Sequence, residues 1–229
     1  MSEIGAATPR VTAIVPIWNE ERTLEGVVEA LLASGLLSEI VCVNDGSTDG
    51  TSDVLDRLGA RIVRIDLPEN RGKGAALAAG IEAATGEVVA FFDADLVNLA
   101  AEHLAALLAP LLIGDPGVRV TLGLFANDNP YAALVSAATG TRFSGVRAYH
   151  RTDLLPHLGR MSASRFGVEV YLNEQLPLAI SRVVPLTGLG SLGKHDKQPP
   201  VIAARGYANA AKEIARELLR LRLDALGDL

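Results

Sequence analysis

The stretch Val88-Val89-Ala90-Phe91-Phe92-Asp93-Ala94-Asp95-Leu96 decides the fold. A short apolar run stops abruptly at two carboxylates separated by one small residue. A run this short, with β-branched and aromatic members, reads as a buried parallel strand. In open α/β sheets, ligands bind beyond the carboxyl ends of the strands. Asp93 and Asp95 therefore stand where a ligand would stand. Residues i and i+2 of an extended segment point to the same side, and two acids there repel unless a cation lies between them. Mg²⁺ or Mn²⁺ is the expected ion, because Mg²⁺ commonly joins one or two carboxylates to substrate phosphates. Taken alone, Asp-Ala-Asp is equally compatible with a solvated strand end.

Upstream, strand and helix patterns alternate. Residues 1–10 read as a loose end, and Val11 to Val15 as a strand that Pro16 terminates. Leu24, Val27, Val28, Leu31 and Leu32 have the spacing of an amphipathic helix, with Gly35 at its end. Strands follow at Glu39 to Val43 and Arg61 to Ile65, with a short helix between them around Val54, Leu55 and Leu58. A helix from Gly72 to Ala84 leads into the strand ending at Asp93. Four such units with short loops imply an α/β fold with a mostly parallel central sheet and helices on both faces.

Beyond Asp95 the pattern loosens. Ala100 to Leu112 reads as a helix, Val118 to Phe125 as a strand, and Asn127-Asp128-Asn129-Pro130 as a loop. A strand at Gly145 to Tyr149 leads into a short helix near Asp153. A helix at Val168 to Leu176, a strand at Ile180 to Pro185, a loop from Gly188 to Pro200 and a helix from Ala208 to Leu226 complete the chain. One continuous domain, residues 11–229, is expected in three parts: 11–98, 99–204, and the closing helix in 205–229.

Composition narrows the function. The 229 residues are 49% apolar and 21% charged, enough for a packed core. A net charge of −6 without a Lys/Arg run argues against nucleic-acid binding. The single cysteine, Cys42, lies in an apolar run, which suits a reducing cytoplasm. The first residues lack a basic region followed by an apolar core, so no signal peptide is expected. The longest apolar stretch, near Leu104 to Ile113, is too short to span a bilayer. The expected location is the cytoplasm, with peripheral contact at the inner face of the membrane left open.

The loops after the parallel strands face one side and belong together. They are Pro16-Ile17-Trp18-Asn19-Glu20-Glu21, Asn44-Asp45-Gly46-Ser47-Thr48-Asp49-Gly50, Pro68-Glu69-Asn70-Arg71-Gly72-Lys73-Gly74, and Asp93-Ala94-Asp95. The third places Gly-Lys-Gly at a helix start, where free N–H groups favour phosphate and Lys73 adds a point charge. Singly, each loop has a structural reading. Asn44 to Ser47 makes a good turn, Asn19, Thr23 or Asp49 caps a helix, and Gly72 permits close packing. Convergence of the four favours a nucleoside-diphosphate site.

The motifs Ile14-Val15-Pro16-x-x-Asn19-Glu20, Val43-Asn44-Asp45-Gly46-Ser47-x-Asp49, Asn70-x-Gly72-Lys73-Gly74 and Asp93-Ala94-Asp95 resemble, in order and spacing, family 2 glycosyltransferases of the GT-A fold. The resemblance implies a UDP- or GDP-sugar donor and Mg²⁺ or Mn²⁺. It implies that Asp45 meets the base, Glu20 the ribose, and Asp95 the metal bridging the diphosphate. Pro16, Asn19, Gly46, Ser47, Lys73 and Ala94 line the donor site by the same likeness, and Asp93 assists the metal or faces the sugar. Ser144-Gly145-Val146-Arg147-Ala148 looks like a segment of polyprenyl-phosphate glycosyltransferases, and Phe166-Gly167-Val168-Glu169-Val170 like the acceptor-side acid segment of GT-A enzymes. Arg147 is then a candidate for an acceptor or leaving phosphate, or else a surface strand residue. Glu169 is a candidate general base, or else a helix N-terminal acid. His195, beside Lys194 and Lys197, stands where some GT-A enzymes complete the metal site.

Glucosyl-3-phosphoglycerate synthases share Gly72-Lys73-Gly74, Asp93 to Leu96 and Gly167 to Val170 with this chain; they retain anomeric configuration whereas family 2 enzymes invert it. The expected activity is sugar transfer from a nucleotide-sugar to an acceptor hydroxyl or phosphate, a lipid phosphate included. The rivals are a sugar-nucleotide nucleotidyltransferase and a non-catalytic nucleotide-binding module. Lys212, Arg216 and Arg220 on the closing helix fit an anionic membrane, but Glu213, Glu217 and Asp224 dilute that charge. Packing on the core or in a homodimer is the alternative.

Overall fold

The fold is built on β1 (Val11–Ile17), which lies between β2 (Glu39–Asp45) and β4 (Val88–Phe91) and is parallel to both. A computed structural model describes residues 9–113, 117–125, 144–176, 178–192 and 200–227. Strands β3 (Val63–Leu67), β6 (Val120–Leu124), β7 (Arg147–His150) and β8 (Ser181–Pro185) complete a seven-stranded sheet of order β3-β2-β1-β4-β7-β6-β8. Strand β7 runs antiparallel to both β4 and β6, while β6 and β8 pair in parallel. Strands from both halves of the sequence share this sheet, so the described residues form one domain.

Side chains alternate across the sheet with the period of two that strands impose. Ala13, Val15, Cys42, Val88 and Ala90 pack under α1 (Leu24–Ala33), α2 (Thr51–Leu58) and α4 (Ala101–Leu112). Ile14, Val41, Val43, Val89, Phe91 and Tyr149 pack under α3 (Lys73–Ala83) on the opposite face. Beyond the short α5 (Arg151–Leu154), the same face receives α6 (Leu158–Ala163) and α7 (Val168–Gln175). Last comes α8 (Pro200–Gly227), whose Ile214 packs on Val170.

Pro16 does not end the first strand, as its type predicts, but lies within it. Ile14 faces β4, because its carbonyl accepts the Phe92 N–H at 3.1 Å. Pro16, two residues on, faces the same way, where β4 has already finished. Its missing N–H breaks no ladder bond. Most other elements fall within a few residues of their expected bounds, but α8 begins at Pro200, eight residues before the expected Ala208, where Ala203 and Ala204 favour helix, and α6 is not among the expected elements. The expected loop at Asn127 to Pro130 lies outside the described residues.

Cys42 is completely buried on β2, and burial pushes its thiol up to about 12. The thiolate is the reactive form. The folded protein should therefore resist iodoacetamide at pH 8, with one label per chain appearing by mass spectrometry only after unfolding in guanidinium.

Candidate active site

The loops beyond β1, β2, β3 and β4 are stitched side to side. The Asn19 N–H donates to Ser47 Oγ at 2.9 Å, and Asn19 Oδ1 accepts the Thr48 N–H at 2.8 Å. The Glu20 N–H donates to Thr51 Oγ1 at 2.9 Å, while the Glu20 carboxylate accepts the Thr23 hydroxyl at 2.7 Å. Asp45 is buried and joins the second loop to the third: its two oxygens accept the Arg71 and Gly72 N–H groups, each at 2.8 Å. Gly46 has φ +64°, and a Cβ there would lie 2.5 Å from the Glu69 carbonyl carbon. Only glycine permits both that conformation and that approach.

Several expected donor residues thus carry structural duties. Asp45 and Ser47 hold neighbouring loops, and Asp49 Oδ1 accepts the Thr51 N–H at 3.1 Å in the first turn of α2. A Cβ on Gly74 would lie 2.1 Å from the Met161 carbonyl oxygen. Gly-Lys-Gly therefore lets α6 lie against the first turn of α3, a packing role that needs no ligand.

Lys73 is the hub. Its ammonium donates to Asp93 Oδ1 at 2.6 Å and to Glu169 Oε1 at 2.7 Å. Burial alone would lower its pKa, but the two carboxylates outweigh that and raise it. Glu169 sits in the first turn of α7 and is only 6% exposed. Behind Asp93 stands Gly145, where a Cβ would lie 2.1 Å from Asp93 Oδ2.

Arg147 is not a surface strand residue. It is 1% exposed on β7 and pairs in register with Phe91. Its guanidinium donates to the Ser144 carbonyl at 2.5 Å, to Asn173 Oδ1 at 2.8 Å and to the Tyr149 hydroxyl at 3.4 Å. Burial is the largest influence on its pKa and acts downward, but neighbours including Tyr149, Glu169 and Asp93 raise it on balance. It is therefore a second buried cation below the Lys73 cluster.

Asp95 goes another way. The segment after it, β5 (Leu96–Val97), forms an antiparallel ribbon with β9 (Gly190–Ser191). The Asp95 carbonyl accepts the Leu192 N–H at 3.0 Å. The chain thus passes the acidic pair just before residues 193–199. Lys194, His195 and Lys197 fall in that stretch, outside the described residues.

Among the described residues, no group of three or more His, Cys, Asp or Glu side chains converges on a metal position. With the Asp93 carboxylate bound to Lys73, the chain offers the hard oxygens of Asp95 rather than a full cage. That donor set fits a Mg²⁺ or Mn²⁺ ion whose remaining ligands come from a diphosphate and water.

Residues 12–153 match the family model described as "Glycosyl transferase family 2". The chain belongs to glycosyl transferase family 2. This family 2 chain is 30% identical over 146 residues to glucosyl-3-phosphoglycerate synthase of Mycobacterium tuberculosis, covering 61% of this chain and 45% of that protein. It is 38% identical over 96 residues to undecaprenyl-phosphate 4-deoxy-4-formamido-L-arabinose transferase of Pseudomonas aeruginosa, covering 38% and 28% respectively. The chain thus spans less than half the length of these curated relatives. A crystal structure of the M. tuberculosis synthase with Mn²⁺, UDP and glucosyl-3-phosphoglycerate superimposes with TM-score 0.71 and 23% identity, covering 93% of this chain and 79% of that one. The same enzyme with Mg²⁺ and UDP gives TM-score 0.70 at 22% identity. The GT-A fold of this family 2 chain follows the sequence-based expectation.

Gly145, Tyr149 and Asn173 carry the site without having been singled out from the sequence as site residues. Only Gly145 leaves a signal there, as the glycine beside Arg147 in Ser-Gly-x-Arg.

Replacing Lys73 with Met leaves Asp93 and Glu169 facing each other without the cation between them. Breaking such a pair costs about 3–5 kcal/mol, so Tm at pH 7.5 should fall by about 10 °C. Thermal melts of both proteins at that pH provide the check.

Proposed function

We propose that the protein transfers a sugar from a nucleoside-diphosphate sugar, with UDP as the first candidate nucleotide, to an acceptor that carries a phosphate. The observation that carries this reading is the division of labour in Asp93-Ala94-Asp95. Asp93 is drawn to Lys73 beside Glu169, while Asp95 stays with the β5–β9 ribbon. This difference supports a reading in which Asp93 serves the reacting sugar and Asp95 the diphosphate. Support comes from the solved relative, whose complexes hold Mn²⁺ or Mg²⁺ with UDP. Further support comes from curated relatives whose names include phosphoglycerate or undecaprenyl phosphate.

The donor lies across the stitched loops. Pro16, Asn19 and Glu20 supply the first wall, Asp45, Gly46 and Ser47 the second, and Ala94 the floor between the acids. Trp18, 41% exposed on the first loop, offers a ring face on which a base can stack. Asp95 would hold the divalent ion, with His195, outside the described residues, as the second ligand the resemblance implies, and the ion would supply charge neutralisation for the departing diphosphate. Asp93 orients the sugar and is itself fixed by Lys73. Glu169, at the meeting point of both halves, accepts the acceptor proton when the attacking group is a hydroxyl. Arg147 acts from beneath, holding the Ser144 to Tyr149 segment and adding positive charge.

The test combines thermal shift and product analysis with UDP-glucose and Mn²⁺. The wild type should gain stability only when both are present and, once phosphoglycerate is added as a phosphate-bearing acceptor, should release UDP as the glucosyl group passes to it. Asp95→Ala should lose the metal-dependent shift, whereas Glu169→Gln should keep the shift and lose at least about tenfold in UDP release, in line with the usual contribution of general base catalysis. Pyrophosphate release from a nucleoside triphosphate would overturn the reading in favour of a nucleotidyltransferase. A donor-induced shift without turnover of any nucleotide-sugar would favour a non-catalytic module.

A further inference from the structure

The acids on α8 offset its basic charge less than their number suggests, because each is paired with an arginine of a neighbouring segment. Glu213 accepts a hydrogen bond from Arg165 at 2.9 Å, and the buried Glu217 accepts one from Arg160 at 3.3 Å. Asp224 also accepts from Arg160, at 3.2 Å. Ile214 and Glu217 are buried, and Leu218 and Leu221 pack beside Ile214. These residues form one stripe at helical spacing.

The opposite stripe is Lys212, Arg216, Leu219 and Leu223, stepping by four, three and four residues. Leu219 and Leu223 are 60% and 58% exposed. Arg220 and Arg222 flank them, one on each side, at the 3.6-residue period. All four cations are exposed, and among the described residues no carboxylate pairs with them. Two leucines on the outer midline, bordered by long basic side chains, form an interfacial pattern: the leucines enter the acyl boundary while the cations reach the headgroups.

We infer that the outer face of α8 docks the protein on an anionic lipid surface. A second copy is the weaker occupant, since a two-fold pairing of this face sets four cations against four. No helix among the described residues is long and apolar enough to cross a membrane, so the attachment is peripheral. Through the Glu213–Arg165 pair and the bond from Arg165 to Asn70 Oδ1 (3.2 Å), the docked helix braces the loop that precedes Lys73. The inference stands on the helix alone and does not depend on the activity proposed above.

The experiment is flotation of the purified chain with vesicles of phosphatidylcholine alone or with 30% phosphatidylglycerol, at about 25 mM and 500 mM salt. Binding is expected only with the anionic vesicles at low salt. One basic residue near such a surface changes the partition coefficient by about fivefold. Arg216→Glu combined with Arg220→Glu should therefore lower it by at least about 25-fold. Leu219→Ser with Leu223→Ser should weaken it independently, and both variants should melt with the wild type because neither pair touches the core. Three outcomes would each overturn the inference: equal binding to neutral vesicles, anionic binding unchanged in the charge-reversed variant, or no flotation together with a dimer that the same variants dissociate.

Discussion

One ammonium group holds the two halves of this protein together at its working edge. Lys73 comes from the start of α3, Asp93 from the loop beyond β4, and Glu169 from helix α7, almost a hundred residues after Lys73. Two carboxylates in partly dry surroundings would repel and would favour protonation or exposure. With Lys73 between them and Arg147 beneath, the four formal charges sum to zero. Helix α7 is thereby placed beside Asp93, and the position of Glu169 is set by an interaction of the folded chain itself.

The remaining loops depend on the same economy of approach. Each polar side chain at the edge serves its neighbour before it can serve a ligand: Asp45 holds the third loop, Asn19 the second, and Glu21 Oε2 accepts the Gly50 N–H at 2.7 Å. Such lateral bonds keep backbone amides satisfied in a region with little regular structure. They also preorganise the edge, so that ordering entropy is not charged to ligand binding. The glycines complete the arrangement by absence. Gly46, Gly74 and Gly145 each stand where a Cβ would enter another segment, respectively Glu69, Met161 and Asp93.

Much of this was legible in sequence. Short apolar runs ending in polar loops identify the parallel strands, because each strand is covered on both faces and each loop must be polar. The acids of Asp93-Ala94-Asp95 are legible for the same reason. Their separate fates are not, since i and i+2 spacing says that two side chains start out on one side and nothing about the cation that claims one of them. Lys73 illustrates the limit. Beside two glycines at a helix start it resembles a phosphate contact, and only the fold reveals that its nearest anions are protein carboxylates. The α8 acids show the converse: a count of charges along the helix treats them as solvated, while the rotation of the helix buries or pairs them.

The burial of Arg147 and the role of Gly145 escaped for a topological reason. Reading function from the loops that follow strands assumes that every strand runs the same way. Strand β7 is inserted antiparallel beside β4, with Arg147 opposite Phe91. Its beginning, not its end, therefore lies at the carboxyl edge of the sheet. The residues that enter β7 are brought to Asp93, and Gly145 is the one that must lack a side chain for the carboxylate to fit. Arg147, the first residue of the strand, then falls below the edge and inside the protein, where its charge is felt but its donors are already engaged. Reversing one strand thus converts a segment that resembles a surface turn into part of the floor of the site, and it explains why a buried arginine and a glycine stand so near each other there.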